Sequence, residues 1–346
     1  MKKSLIALAV LASSGAAMAQ SSVTLYGLAD VWLGSTKSEV SIGGTTASAR
    51  QSVLNGQGFN TSRIGFKGTE DLGGGLKANF TIETAIALDA PTPTSLGSRV
   101  ATVGLSGGFG SIDLGRNWTP YDDTRAMAND TFNANIASSF STWLAYEDNP
   151  NNMIRYNTPS FGGFTVSAAY AFGEDKNAAG TSSISSISLN YANGPLVAGL
   201  AYQSEDDKGT LPDSTGLRTL GSNGKATYTL VNGSYDFGIA KLIAGYNQVK
   251  VTETGLAGSG KANEYNIGVD APLGANLSIG LGYAQSKFKV NGVSDYKATG
   301  YSAALKYALS KRTFAYTALT QTKFKDAASA DYVKNSLLAV GVQHSF

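Results

Sequence analysis

The sequence offers few residues for enzymatic chemistry. Gly104-Leu105-Ser106-Gly107-Gly108 fits the G-x-S-x-G pattern that surrounds some serine nucleophiles. Such a nucleophile needs a strand–turn–helix setting and a histidine base. The chain has one histidine, His344, and no cysteine, so it lacks both a plausible zinc site and the base of a His-dependent triad. We therefore interpret the motif as a turn, and we expect no enzymatic activity, no metal and no cofactor.

Basic side chains on the polar faces of predicted strands are stronger candidates for function. Arg63 and Lys67 alternate with apolar residues and lie on the polar face of one predicted strand, and Arg155 lies on the polar face of another. The alternation around Arg99 is too weak to give its direction. If the strands enclose a lumen, such residues form a basic wall that acts on permeating ions. The alternative is that these arginines only solvate the wall or brace a loop.

The elements that would position these residues are β-strands. Large apolar residues alternate with Gly, Ser, Ala, Asn and Thr in the windows 76–83, 164–172, 265–271 and 277–284. This is the inside-out pattern of a transmembrane barrel, with lipid outside and water within. We expect an all-β fold, an antiparallel barrel of about 16 strands. Their predicted starts lie near residues 22, 58, 75, 98, 110, 153, 163, 182, 195, 226, 238, 262, 275, 295, 311 and 332.

The connections between the predicted strands alternate in length. Short Gly-rich turns separate longer polar loops, which lie near residues 36–57, 119–152, 205–224 and 253–261. Short turns at one end and long loops at the other are typical of a transmembrane barrel. A closed sheet of about 16 strands is wide enough to leave a water-filled lumen.

The N-terminal residues predict export. Lys2 and Lys3 precede a short apolar run, and the small residues at 17–19 form a cleavage site, so we predict a signal peptide over 1–19 and a barrel domain over 20–346. Without Lys2 and Lys3, 25 basic residues balance 25 acidic ones, which gives no reason to expect nucleic acid as a partner. No later run of 18 apolar residues could form a spanning helix.

Several segments resemble a known family, the general trimeric porins of Gram-negative bacteria and especially the β-proteobacterial type. These segments are 23–27 (VTLYG), 62–73 (SRIGFKGTEDLG), 110–116 (GSIDLGR) and 341–346 (GVQHSF). The resemblance implies a homotrimer in the outer membrane that conducts small hydrophilic solutes and ions. It also implies contact with outer-membrane lipid and lipopolysaccharide, and a C-terminal strand ending in Phe346 that the outer-membrane assembly machinery reads.

The resemblance also assigns roles to charged residues. The positions of Arg63, Arg99 and Arg155 match the basic cluster of the family's pore constriction, and Lys67 lies on the same face as Arg63. The family folds its third external loop into the barrel, and here that loop is 118–152. The Pro-Glu-Phe-Gly-Gly-Asp stretch of the enteric members is absent. Which acid faces the arginines is therefore open, and the candidates are Asp122 and Asp130.

Arg116 is out of place on a lipid-facing strand. It shares the parity of Ile112 and Leu114, and an outward charge near the membrane midplane costs about 2–4 kcal/mol. Because the resemblance implies that the early strands contact other subunits, Arg116 is a candidate interface residue.

We expect a general diffusion channel with a mild preference for anions. Three alternatives remain: a substrate-specific channel, for example for an organic acid; an outer-membrane barrel hydrolase; and a soluble exported β-sandwich that acts as an adhesin or lectin.

Overall fold

The computed structural model describes residues 22–90, 94–174, 180–208, 223–253, 259–290, 293–326 and 329–346. The predicted signal peptide, 1–19, lies outside these residues. Among the described residues, no helix is long and apolar enough to cross a membrane.

The described residues form one antiparallel sheet with a single short helix and two 3-10 turns between β6 and β7. The strands are β1 (Ser22–Ile42), β2 (Thr45–Gly56), β3 (Arg63–Gly73), β4 (Leu76–Ala85), β5 (Val100–Gly107), β6 (Gly110–Arg116), β7 (Met153–Asn157), β8 (Phe164–Phe172), β9 (Ser183–Asn193), β10 (Leu196–Lys208), β11 (Asn223–Asp236), β12 (Lys241–Glu253), β13 (Ser259–Pro272), β14 (Leu277–Val290), β15 (Val293–Ala308), β16 (Thr313–Asp326) and β17 (Tyr332–Ser345).

The sheet closes on itself. From β3 to β17 each strand pairs with the next one in the chain. β17 then pairs with β1 from Leu28↔Ser345 to Ser41↔Tyr332, and the first residues of β1 pair with β3. Closure leaves no open edge around the wall, as a sheet in lipid requires.

The 17 strands form a barrel of 16 because β2 and β3 together occupy a single strand position in the wall. Both pair with the same side of β1: β2 from Val31↔Gly56 to Ile42↔Thr45, and β3 from Ser22↔Thr69 to Leu28↔Arg63. The prediction of about 16 strands is confirmed. The loop predicted near 36–57 is wrong, because β1 continues to Ile42 and returns as β2.

The break between β2 and β3 is held by a buried carboxylate. Asp30 of β1 is fully buried and accepts the backbone N–H groups of Gly58, Phe59 and Asn60 at 2.9, 2.9 and 3.1 Å. The Tyr316 hydroxyl of β16 donates to the same carboxylate at 2.6 Å. Buried backbone N–H groups that have no partner in a neighbouring strand need another acceptor. Asp30 of β1 is that acceptor at the break between β2 and β3.

The two faces of the wall differ as the alternation predicted. Ile267, Leu338 and Val340 are 59%, 51% and 53% exposed, and their chain neighbours Asn266, Gly268 and Ala339 are buried. Contiguous apolar exposure on this scale is that of a lipid-facing surface. The turn between β3 and β4 has three glycines, 73–75, with φ of 85°, 62° and 82°, a region open to glycine at little cost.

Candidate functional site

The segment 117–152 connects β6 to β7 and holds the only α-helix among the described residues. This helix, α1, spans Pro120–Met127, and the Thr119 side chain caps it by accepting the N–H of Asp122 at 3.2 Å. Proline in the first turn and a threonine cap are common helix starts. Two 3-10 turns follow, at Thr131–Asn133 and Ser139–Thr142.

Segment 117–152 is attached to the polar face of the wall, opposite the exposed apolar side chains. Its N–H groups at Tyr121, Leu144 and Glu147 donate to Ser186 (3.0 Å), Glu264 (2.7 Å) and Glu205 (2.8 Å). Its carbonyls at Thr124 and Ile136 accept from Asn232 (2.6 Å) and Thr320. These partners belong to β9, β13, β10, β11 and β16. Hydrogen bonds to charged groups are stronger than neutral ones, so the two glutamates contribute most to this attachment.

Arg63 and Arg99 share one carboxylate. The Glu83 side chain is buried, and it lies 2.7 Å from Arg99 Nε and 3.5 Å from Arg63 Nε. The Tyr26 hydroxyl donates to the same carboxylate at 3.0 Å. Arg63 in β3, Glu83 in β4 and Arg99 directly before β5 come together because these strands are neighbours, and the group keeps one net positive charge.

Arg155 is anchored to segment 117–152. Its guanidinium donates to Asp123 at 2.5 Å, to the Trp118 carbonyl at 2.8 Å and to Asn157 at 3.0 Å. The guanidinium of Arg99 lies 4.9 Å from the centre of the Trp118 ring. Trp118 therefore contacts two of the arginines, one through its carbonyl and the other through its ring.

Arg125 of α1 lies on aromatic rings. Its guanidinium carbon is 5.1 Å from the ring centre of Phe140, 5.6 Å from that of Trp143 and 4.8 Å from that of Tyr146. Aromatic faces attract a guanidinium through the ring quadrupole without neutralising its charge. Arg125 therefore adds a positive charge at a fixed place on the segment.

A polar cavity of about 590 Å³ lies between segment 117–152 and the wall at β3 and β5. Both signs of charge line it: Arg63, Arg99, Arg125, Asp122, Asp123 and Asp148. The structure thus brings Arg63, Arg99 and Asp122 together from the residues singled out in the sequence. Arg155 reaches the group through Asp123.

Asp122 is an acid of this cavity whose charge depends on pH near neutrality. Burial raises its pKa to about 7, with help from the nearby Asp148 and Asp123, against the hydroxyl of Tyr146 that donates to it at 2.5 Å. Burial also raises the pKa of Asp148. A carboxyl with a pKa near 7 carries about half a charge at neutral pH.

Asp130 does not face the arginines, contrary to the expectation from the sequence. It is fully buried, and the Ser139 hydroxyl and backbone N–H donate to it. It packs against Gly268 and Gly282 of β13 and β14, across the barrel from Arg63. The Thr131 hydroxyl also donates to it, at 3.4 Å, so this carboxylate is hydrogen-bonded within the segment. Lys67 also lies outside the residues that line the cavity, and its ammonium is 5.3 Å from the Tyr26 ring centre.

Arg116 and Phe346 have partners within the chain. Arg116 donates to the Ser98 carbonyl at 2.8 Å and to the side chains of Asn151 and Asn149 at 2.8 and 3.0 Å. Phe346 exchanges two backbone hydrogen bonds with Gly27, at 3.1 and 3.0 Å, at the end of the seam that β1 and β17 form. The seam is thus paired to the last residue.

Glu83 and Arg125 were not singled out from the sequence. Glu83 lies on the polar face of β4. Because the flanking strands carry arginines, the sequence could have indicated this carboxylate as their partner. Arg125 lies in a segment without periodicity, and its aromatic partners are 15 to 21 positions away. Nothing in the local pattern predicts that contact.

The comparison with protein families decides the class of the chain. A model described as "Gram-negative porin" matches residues 4–327. The chain belongs to this porin family. It is 38% identical over 358 residues to outer membrane porin protein 32 of Delftia acidovorans, covering 99% of this chain and 95% of that one. It is 30% identical to an outer membrane porin protein of Bordetella pertussis, with full coverage of both chains.

A solved structure described as an anion-selective porin from Comamonas acidovorans shares the fold of this porin. The two superpose with a TM-score of 0.77 at 30% identity, covering 94% of this chain and all of the other. This porin is therefore a closed 16-strand barrel of the Gram-negative outer membrane that forms a channel for diffusion. The resemblance to β-proteobacterial porins is confirmed by these relatives.

Proposed function

We propose that this porin conducts small hydrophilic solutes and ions with a mild preference for anions. Segment 117–152 narrows the lumen, and solutes pass through the cavity between it and the arginines. The observation that carries the proposal is the charge balance around that cavity. Arg63 and Arg99 share Glu83, and Arg125 lies on aromatic rings. With Arg155 included, four arginines face Glu83, Asp123, Asp148 and an Asp122 that is only partly ionised at neutral pH, so the group has a small excess of positive charge.

We expect the reversal potential of the purified protein in a planar lipid bilayer under a KCl gradient to have the sign of an anion-preferring pore. The arginine excess acts on ions at the narrowest point, where screening is weakest. Openings in groups of three would indicate a trimer. A cation-preferring potential at moderate salt would contradict the proposal. Saturable block by one solute, such as an organic acid, would indicate the substrate-specific alternative.

Anion preference should weaken as the pH rises from 6 to 8. The raised pKa of Asp122 means that its carboxyl is neutral below about pH 7 and negative above it. A unit charge about 5 Å from a permeating ion changes its free energy by about 0.8 kcal/mol even in water, so anion permeability should fall about fourfold. The Asp122→Asn variant is the control, and its selectivity should not change over this range. An equally steep pH dependence in that variant would exclude Asp122 as the titrating group.

We further propose that the porin assembles as a homotrimer. Arg116 contacts Asn149 and Asn151 within its own chain, and together they supply a polar patch on the early strands for a neighbouring subunit. Phe346, which completes the barrel seam, is the residue we propose for recognition by the assembly machinery. Residues 1–19 are proposed as the signal peptide.

Diffusion rather than catalysis is the activity we propose. Ser106 lies at the end of β5 and leads into the hairpin to β6, so the G-x-S-x-G motif is in a strand–turn–strand setting. Its hydroxyl accepts the side-chain amide of Asn79 at 2.8 Å. A serine nucleophile would need a base at that position, and the only histidine, His344, lies in β17.

A further inference from the structure

Thr124 of α1 contacts three consecutive strands of the wall. It is fully buried against Asn190 of β9, Gly199 of β10 and Asn232 of β11, which lie directly opposite one another in the register of these strands. We call these three wall residues the helix seat. Neither Thr124 nor the helix seat is among the described residues that line the cavity beside the arginines. Their effect on that cavity must therefore pass through α1.

Each residue of the helix seat contacts a different part of Thr124. The side-chain amide of Asn232 donates to the Thr124 carbonyl at 2.6 Å. The Thr124 hydroxyl has two acceptors at 2.9 Å, the amide oxygen of Asn190 and the carbonyl of Pro120. Gly199 faces the methyl group, and a β-carbon at this position would overlap Thr124 Cγ2. Two polar contacts and one steric contact thus fix the distance between α1 and the wall.

The other face of α1 carries charges of the cavity. Tyr121 and Thr124 are three positions apart and share the helix face that is buried against the wall. Asp122, Asp123 and Arg125 line the cavity instead. Because hydrogen bonds within a helix make it move as one piece, a displacement of Thr124 from the wall would carry these three charges into the cavity.

A second close contact with the wall follows at Asp130. This residue packs on Gly268 and Gly282, which lie directly opposite each other in β13 and β14. A β-carbon at Gly268 would lie 2.5 Å from Asp130 Cβ, and one at Gly282 would lie 2.5 Å from its carboxyl carbon. Ordinary carbon–carbon contacts are about 3.5–4.0 Å long. The stretch between Thr124 and Asp130, part of which lines the cavity, is thus held against the wall at both ends.

We propose that the helix seat sets the free width of the channel by fixing how closely α1 approaches the wall. The inference rests on the proposed passage of solutes between segment 117–152 and the arginines. Glycine at position 199 leaves room for the Thr124 methyl group, and the amide of Asn232 holds the helix in that room. Asn190, Gly199 and Asn232 are therefore positioning residues, which act on solutes only through α1.

The test measures the single-channel conductance of the folded Gly199→Ala porin in a planar lipid bilayer. The new methyl group must displace Thr124 by about 1 Å to restore an ordinary contact. We expect the conductance to fall by at least about one fifth, because it depends on the width of the narrowest point. The control is Gly274→Ala in the turn between β13 and β14, where a β-carbon has no neighbour within 4 Å among the described residues. A conductance of Gly199→Ala equal to that of this control would overturn the proposal.

A second substitution tests whether the narrowing passes through Thr124. Thr124→Ser removes the methyl group that the new β-carbon would overlap and keeps the hydroxyl that donates to Asn190. Combined with Gly199→Ala, it should restore at least about half of the lost conductance. Full recovery is not expected, since the amide oxygens of Asn190 and Asn232 also lie 2.8 and 2.9 Å from that β-carbon. No recovery would overturn the proposal, because a general disturbance at Gly199 would not depend on the side chain at position 124.

Asn232→Leu tests the polar contact without adding bulk, so it remains informative if Gly199→Ala does not fold. It removes the donor to the Thr124 carbonyl, and the less firmly held α1 should raise the noise of the open-channel current about twofold or more. The matched control is Asn263→Leu, whose amide oxygen accepts from Tyr246 at 2.9 Å on the outward face. Equal noise in the two variants would overturn the proposal.

The selectivity of the channel separates this proposal from the one on which it rests. If replacing Arg63 and Arg99 with glutamine changes the reversal potential but Gly199→Ala leaves the conductance unchanged, the helix seat has no role and the passage beside the arginines stands. If neither variant differs from the unmodified porin, the proposed passage is wrong as well. A lower conductance in Gly199→Ala together with recovery in the double variant would support the helix seat.

Discussion

Replacing Arg63 and Arg99 together with glutamine should convert the channel from anion to cation preference. The two arginines share Glu83, so the double variant leaves the Glu83 carboxylate beside the cavity with neither of its cations. At about 5 Å each lost charge changes the free energy of an ion by about 0.8 kcal/mol in water, so anion permeability should fall more than tenfold. The measurement is the reversal potential in a bilayer under a KCl gradient of low ionic strength, where screening is weak.

The matched control for this double variant is Lys311→Gln with Arg312→Gln. It removes the same charge at the turn between β15 and β16, far from the cavity, and should leave the potential unchanged. Adding Glu83→Gln to the arginine variant should bring the potential close to that of a neutral pore. If the double arginine variant keeps its anion preference, the cavity beside Glu83 is not the selective point of the channel.

Asp30→Ala should be strongly destabilising. The carboxylate accepts three backbone N–H groups between β2 and β3 and the hydroxyl of Tyr316, all at a fully buried position. Each buried donor left without a partner costs about 1–3 kcal/mol, so the total should be at least about 3 kcal/mol. The measurement is the free energy of unfolding in guanidinium chloride, or the temperature at which the folded band is lost on a gel.

The control is Asp206→Ala, which removes a carboxylate on the outward face of β10. Its partner Lys208 and the residue itself are partly exposed, and exposed ion pairs contribute little to stability. We expect a change of less than about 0.5 kcal/mol. A similar loss in both variants would mean that any carboxylate on this barrel matters equally, and that the seam at Asp30 has no special role.

Contacts within the chain limit the repulsion among the arginines of the proposed constriction. Arg63, Arg99 and Arg155, which lie along the wall from β3 to β7, carry like charges, and Glu83 and Asp123 offset part of their repulsion. Arg125 is held in another way, by three aromatic rings that leave its charge available. If this group sets selectivity, as we propose, a change of pH near the pKa of Asp122 should change the selectivity.

The sequence by itself determined the barrel. Strand positions follow from period-two alternation, because lipid and water impose opposite requirements on the two sides of every strand. The predicted starts near 110 and 153 coincide with those of β6 and β7, and the starts near 22 and 332 coincide with those of β1 and β17. The hairpin of β1 and β2 was missed because nearly every residue of β2 is exposed, so no buried face imposes a pattern.

The tertiary structure alone decided the composition of the site. Alternation indicated the face of Arg63 and Arg155 but not their partners, since Glu83 meets Arg63 and Arg99 only through the register of β3, β4 and β5. Segment 117–152 has no periodicity, so the burial of Asp130 and the exposure of Asp122 to the cavity follow from contacts with distant strands, such as that of Phe132 with Asp270, 138 residues later. The alternation of apolar and polar residues shows which side of a strand faces lipid and which faces water. It does not report which charges the closed barrel brings face to face.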